Sequence, residues 1–97
     1  METINGKQYP MWSQFVEKES DFIGRVLEDH DMGMVLTTEI TGVSLEPNGD
    51  DSAFFRIKGK DFNCGFDVKH GGITAGEKGW LTFSGYGGHT FRIKNND

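Results

Sequence analysis

The stretch that decides the fold class is Asp61–Lys69, which has the sequence DFNCGFDVK. The apolar side chains of Phe62, Cys64, Phe66 and Val68 alternate with polar residues and glycine along it. Because successive side chains of a β-strand point to opposite faces, this alternation predicts a strand that is buried on one face and exposed on the other. The neighbouring segments show related patterns.

A longer strand is predicted at Met34–Leu45, where β-branched residues suited to a pleated surface are frequent. Leu36 and Ile40 share one parity, whereas Val43 has the other. Gly42 lies between them, and a bulge at this glycine would return the apolar side chains to one face. We therefore predict a bent strand.

Short alternating segments predict three more strands, at Ala53–Lys58, Trp80–Tyr86 and His89–Lys94. Proline and an Asn-Gly pair predict a turn within Glu46–Asp51, and two glycines predict the turn between the last two strands. The segment His70–Gly79 is predicted to be a flexible link.

The N-terminal region combines a short hairpin with a helix. Asn5-Gly6 favours a type I′ turn between two short strands. Apolar residues at helical spacing predict one helix at about 11–19. The same spacing could continue this helix to about residue 28, but Gly24 disfavours helix interior, so we prefer a strand at about 22–28.

Together these elements predict a mainly β (α+β) fold that forms a single domain over residues 1–97. We expect about six antiparallel strands in a strongly bent sheet or small barrel, with one N-terminal helix packed on the core. Edge strands of so small a sheet are commonly protected by pairing in a two-fold dimer, so we expect a homodimer. The predicted core consists of Trp12, Phe15, Val16, Leu36, Ile40, Phe55, Phe62, Phe66, Leu81, Phe83 and Phe91.

Composition and charge limit the classes of function. The 97 residues carry a net charge of −5, which argues against nucleic acid and anionic membranes as partners. No apolar stretch is long enough to span a bilayer, and no signal peptide follows Met1, so we expect a soluble, cytoplasmic protein. Residues 1–50 hold ten carboxylates against three bases, whereas residues 51–97 hold five against seven, so the halves should attract each other or those of a second copy.

Metal-binding and catalytic signatures are weak. His30, His70 and His89 lack the close spacing with a second ligand that metal sites usually show, so we predict neither metal nor cofactor. His30 is predicted to lie in a solvated turn between two aspartates. Cys64 is the only cysteine, which excludes an internal disulfide, and its inward parity predicts a small buried hydrophobe.

A short repeat suggests where a partner could bind. Phe55–Lys58 and Phe91–Lys94 have the same sequence, FRIK, and both place Arg and Lys on the outer face. Aromatic side chains share that face, and the glycine-rich Ser84–His89 is predicted to be a hairpin turn. The predicted ligand or partner contacts are Phe54, Arg56, Trp80, Tyr86, His89 and Arg92.

These residues favour a non-catalytic binding or protein-interaction module whose partner is an unknown protein or small molecule. The alternative is a small enzyme with a pocket in which His70 or His89 is the base and Asp67 or Glu39 its partner. A third hypothesis, a single-stranded nucleic-acid binder, uses the outer cations with the aromatic side chains, but the net charge counts against it.

Overall fold

The computed structural model describes residues 3–4, 7–8, 10–85 and 89–95. The elements are β1 Thr3–Ile4, β2 Lys7–Gln8, α1 Pro10–Glu17, α2 Glu19–Phe22, β3 Val26–Asp31, β4 Met34–Pro47, β5 Ala53–Gly59, β6 Asn63–Asp67, β7 Gly72–Thr74, β8 Trp80–Ser84 and β9 Thr90–Lys94. β1 and β2 pair as the predicted antiparallel ribbon, while Asn5-Gly6 lies outside the described residues. No helix in the described part of the chain is long and apolar enough to cross a bilayer.

The other seven strands form one antiparallel sheet in the order β6-β5-β4-β3-β9-β8-β7. The prediction of a mainly β fold is therefore confirmed. The predicted number of six strands is slightly wrong, because Gly72–Thr74 pairs with β8 in the segment that we predicted to be a flexible link. The sheet is not closed, since β6 and β7 are its two ends and the described residues form no ladder between them, so a barrel is not confirmed.

β4 belongs to both halves of the sheet. Its first part, Met34–Glu39, pairs with β3, and its second part pairs with β5 from Ile40 onward. The register shifts between Ile40 and Gly42, which confirms the predicted irregularity at this glycine. There the Glu19 carboxylate accepts a hydrogen bond of 2.9 Å from the backbone N–H of Val43, so a side chain of α2 satisfies this ladder donor.

The core is an aromatic cluster between α1 and the two halves of the sheet. The ring of Trp12 lies 4.8 Å from that of Phe55 and 5.3 Å from that of Phe66, measured between centroids. The ring of Phe66 on β6 also lies 5.7 Å from that of Phe91 on β9. Strands near opposite ends of the sheet therefore meet across the core, and Trp12 of the helix covers them. Phe15, Val16, Phe62 and Leu81 pack at its margin, partly buried.

Three predictions about the N-terminal half are wrong. The single helix predicted at about 11–19 is divided into α1 and α2, because Lys18 between them has non-helical backbone angles (φ −100°, ψ 23°). Leu36 was placed in the core, but it is 49% exposed, because it lies beyond the point at which β5 begins to cover β4. The strand predicted at 22–28 begins only at Val26, since Phe22 ends α2 and the next three residues form a turn. Gly24 has a φ of 91° in this turn, a conformation that glycine adopts readily.

We predict that Gly65→Ala destabilises the protein. A Cβ at residue 65 would lie 2.4 Å from the backbone oxygen of Phe55 and 2.5 Å from the ring of Phe54, so strand or ring must shift. The expected loss is about 1–3 kcal/mol, a fall of several degrees in Tm by differential scanning fluorimetry. Gly72→Ala is the matched control, because a Cβ there meets nothing within 4 Å. Equal melting temperatures for the two variants would contradict the close approach of β5 to Gly65.

Candidate functional site

Trp80 and Arg92 form a stacked pair on the outer face of the sheet. Arg92 lies directly opposite Thr82 in the β8–β9 ladder, so the two side chains share one face of the sheet. Trp80 precedes Thr82 by two residues and therefore points to the same face. The Arg92 guanidinium lies 3.9 Å from the centroid of the Trp80 ring, and the Lys94 ammonium lies 5.0 Å from it. The Trp80 ring is therefore occupied by two cations of its own chain.

Arg92 is also held by two carboxylates. Its Nε and Nη2 both lie 2.9 Å from Oε1 of Glu28, the residue opposite on β3, and its Nη1 donates to Glu77 at 2.9 Å. Burial opposes ionisation of Glu28, but hydrogen bonds from His30 and Arg92 outweigh it and lower the pKa of Glu28. Desolvation lowers the pKa of Arg92, but its hydrogen bonds to Glu77 and Glu28 and the charges of these carboxylates raise it by more. His30 thus lies within β3, not in the predicted solvated turn.

Arg56 repeats this arrangement on β5. Its guanidinium lies 5.0 Å from the centroid of the Phe54 ring, and its Nε donates to Glu46 at 2.9 Å. The repeated FRIK sequence therefore builds two similar units, each of an arginine, an aromatic ring and a glutamate. The two units lie on β5 and β9, with β4 and β3 between them in the sheet. Both arginines are neutralised by nearby carboxylates.

His89 lies apart from the Trp80 unit. It precedes Phe91, a buried residue, by two positions, and its Nε2 hydrogen-bonds the carboxylate of Asp29 on β3. Asp29 was not predicted as its partner, because the two residues are 60 positions apart and only the β3–β9 register brings them together. The predicted contact Tyr86 lies outside the described residues.

The two carboxylates considered for acid-base chemistry have other contacts. Glu39 forms an ion pair of 3.2 Å with Lys60. Asp67 accepts hydrogen bonds from the side chains of Ser52 and Asn48 and from the backbone N–H of Lys69. Burial raises the pKa of Asp67, but these bonds and the nearby His70 lower it by more. Asp67 thus ties the β4–β5 turn to the end of β6.

Cys64 is buried, as its parity predicts. Burial, with a smaller contribution from the charge of Asp29, raises the pKa of its thiol to about 12. The thiol is therefore protonated at neutral pH, whereas the thiolate is the reactive form. The described residues contain no group of three or more His, Cys, Asp and Glu side chains placed to hold a metal ion.

An exposed apolar run, which the sequence analysis did not identify as a site, lies at the β3–β4 hairpin. Met32 is 94% exposed, and the exposed fractions of Met34, Val35 and Leu36 are 63%, 53% and 49%. Met32 and Gly33 both have positive φ, as a type I′ turn requires. The apolar sequence around Gly33 was the available signal, whereas the turn was predicted earlier, at His30.

The same segment has an unpaired backbone edge. The backbone oxygen of Glu39 accepts from Lys60 N–H at 3.0 Å, so residue 39 directs its backbone groups away from β3. The direction of the backbone N–H and C=O groups alternates along a strand, so those of Val35 and Thr37 also point away from β3. β5 reaches only Ile40, and no backbone group in the described part of the chain pairs with this edge. We call Met34–Thr37 the open edge.

Comparison of the chain with protein-family models, with curated proteins and with solved structures finds no match in any of the three. Function is therefore inferred from the geometry of the side chains and backbone.

We predict that Arg92→Ala costs more stability than Arg56→Ala. Arg92 and Glu28 have side chains only 19% and 18% exposed, so the truncation leaves a largely buried carboxylate without its main partner. The expected loss is about 1–3 kcal/mol in urea unfolding. Arg56 and Glu46 are 36% and 45% exposed, so the control should lose less than about 1 kcal/mol. Similar losses for the two variants would show that the carboxylates of Arg92 are freely solvated.

We also predict that Cys64 is unreactive in the folded protein. At pH 8 a thiol with a pKa of about 12 holds almost no thiolate, and the side chain is buried. Titration with Ellman's reagent should detect no thiol in the native protein and one thiol per chain in guanidinium chloride. Rapid labelling of the native protein would mean that Cys64 is accessible and ionised.

Proposed function

We propose that this protein is a non-catalytic protein-interaction module that binds a second copy of itself along the open edge of β4. The observation that carries the proposal is the coincidence of the exposed apolar run with this edge. Unpaired strand edges with apolar side chains readily add a further strand, and natural proteins usually protect them with lysine, proline or a covering element. Residues 34–37 have neither lysine nor proline.

The pattern of exposed side chains suits a symmetric partner. The exposed residues Met34 and Leu36 flank Val35. An antiparallel two-fold pairing centred on Val35 places each Met34 opposite Leu36 of the second copy and brings the two Val35 residues together. Apolar side chains then face apolar side chains at all three positions, and the backbone groups of Val35 find partners.

The area involved is adequate for a small dimer. Met32, Met34, Val35 and Leu36 are four of the seven large hydrophobic residues found exposed in the described part of the chain. Covering these four side chains in both copies would bury on the order of 1,000 Å², which is about the minimum for a specific interface. A second copy is therefore a sufficient partner for this surface.

The other hypotheses have less support. A single-stranded nucleic-acid surface needs free cations beside free aromatic rings, but Arg56 and Arg92 cover the rings of Phe54 and Trp80 and pair with carboxylates. For an enzyme, the hydrogen bond between His89 and Asp29 supplies a base and a partner. The nearby thiol of Cys64 is protonated, however, and so supplies no nucleophile.

A charge-swap experiment tests the proposal. Sedimentation velocity over a concentration series should show dimer formation by the wild-type chain. Val35→Lys and Val35→Glu should each be monomeric, because like charges meet at the two-fold axis, and an equimolar mixture of the two should form a heterodimer. Ile73→Lys is the control, because Ile73 is 46% exposed on β7, away from the open edge, and should leave the dimer intact.

Circular dichroism of each variant verifies that the sheet is formed. A wild-type chain that stays monomeric overturns the proposal and leaves the edge open to a strand of a different protein. A dimer that survives both Val35 substitutions overturns it as well, since the copies would then meet through another surface. A mixture without heterodimer refutes pairing centred on Val35.

A further inference from the structure

A cleft separate from the open edge lies between the α2–β3 turn and the end of β9. Its volume is about 540 Å³, within the range of sites that hold small molecules. The side chains that line it include Ser20, Asp21, Ile23, Arg25, Lys94 and Asn95. Two of these six are cations.

Arg25 differs from the other two arginines. Its guanidinium lies 5.1 Å from the centroid of the Phe22 ring, as Arg56 and Arg92 lie over rings of their own. Unlike them, Arg25 forms no ion pair with a carboxylate in the part of the chain that the structure describes. Its Nε is buried and has no hydrogen-bond partner there. A buried donor without an acceptor is unfavourable, so the described residues leave the hydrogen-bonding capacity of Arg25 partly unused.

Lys94 adds a second cation without an acidic partner. Its ammonium lies over the Trp80 ring, and the described residues offer it no carboxylate within ion-pair distance. Asp21 is the acidic residue in the lining of the cleft, so the lining combines two basic residues with one acidic residue. In a protein of net charge −5, this local excess of positive charge is unusual.

The geometry of the lining indicates the kind of anion. A guanidinium donates two parallel hydrogen bonds to carboxylate or phosphate oxygens, and an end-on pair uses its two terminal nitrogens. Ile23 is 49% exposed and contributes an apolar wall to the same cleft. A ligand with an oxyanion group and an apolar part would contact both.

We propose that this cleft binds a small organic oxyanion, whose carboxylate or phosphate group pairs with Arg25 and Lys94 and whose apolar part lies against Ile23. The site goes beyond the proposed self-association, because none of these three residues belongs to the open edge. It needs neither a metal nor a covalent step.

Isothermal titration calorimetry at constant ionic strength tests this site with inorganic phosphate, phenyl phosphate and acetate as probes. Phosphate should bind saturably, and phenyl phosphate should bind more tightly because its ring covers Ile23. Arg25→Gln should weaken the binding of both phosphates by roughly tenfold or more, the usual effect of losing a charged hydrogen bond. Arg56→Gln is the control and should change neither affinity, since Arg56 is already paired with Glu46.

Two further variants separate the site from a general charge effect and from misfolding. Asp21→Asn removes the carboxylate that repels the ligand, so it should tighten phosphate binding. Ile23→Ser should abolish the advantage of phenyl phosphate over phosphate without weakening phosphate itself. Equal affinities of Arg25→Gln and Arg56→Gln for phosphate would overturn the proposal, as would the absence of saturable binding by any probe. If acetate binds while the phosphates do not, the oxyanion is a carboxylate.

Discussion

The change of partner along β4 is the constraint on which the rest of the molecule depends. A strand of 14 residues that kept one straight register would pair with the same neighbours throughout its length. Here the register shifts between Ile40 and Gly42, so the first part of the strand pairs with β3 alone and the second part with β5. Bulges of this kind increase the local bend and twist of a sheet. The aromatic faces of β6 and β9 can therefore meet across one small core.

Both proposed sites follow from this change of partner. β5 covers β4 only as far as Ile40, which leaves residues 34–37 with an unpaired edge. Ile40 also donates its N–H to the backbone oxygen of Arg25 and accepts from Gly24 N–H, so it fixes the turn that carries Arg25. The Glu19 carboxylate accepts a hydrogen bond from Val43 N–H at the same irregularity. The register shift in β4 thus leaves the open edge exposed and also fixes the turn that carries Arg25.

Local sequence patterns predicted those elements in which each face of the strand has the same burial along its whole length. Strict alternation identified β6, and the parity switch at Gly42 identified the irregularity of β4, because both signals lie within a few residues. Leu36 has the same parity as Ile40, yet one is exposed and the other is buried. The difference in exposure between Leu36 and Ile40 depends on where β5 ends. The sequence of β4 carries no information about that position.

The candidate sites were less predictable than the fold, because they depend on contacts between distant residues. The outer position of Arg92 follows from alternation, but its pairing with Glu28 depends on a register across 64 positions. The partner of His89 depends likewise on the β3–β9 register. The open edge and Arg25 are both defined by the lack of a partner among the described residues. A sequence pattern carries no signal for that.

The distribution of charge indicates which forces remain for binding. The acidic first half and the more basic second half were expected to attract each other. In the described part of the chain, three pairs of a glutamate with an arginine or lysine join them: Glu28–Arg92, Glu46–Arg56 and Glu39–Lys60. Glu46–Arg56 and Glu39–Lys60 are exposed and contribute little stability each, whereas Glu28–Arg92 is largely buried. All three pairs use charges that could otherwise attract a second copy. The proposed association at the open edge would therefore rest on apolar burial and backbone hydrogen bonds, which salt screens only weakly. Among the described residues Arg25 is the arginine without a carboxylate partner, and for this reason we place the proposed electrostatic recognition in its cleft.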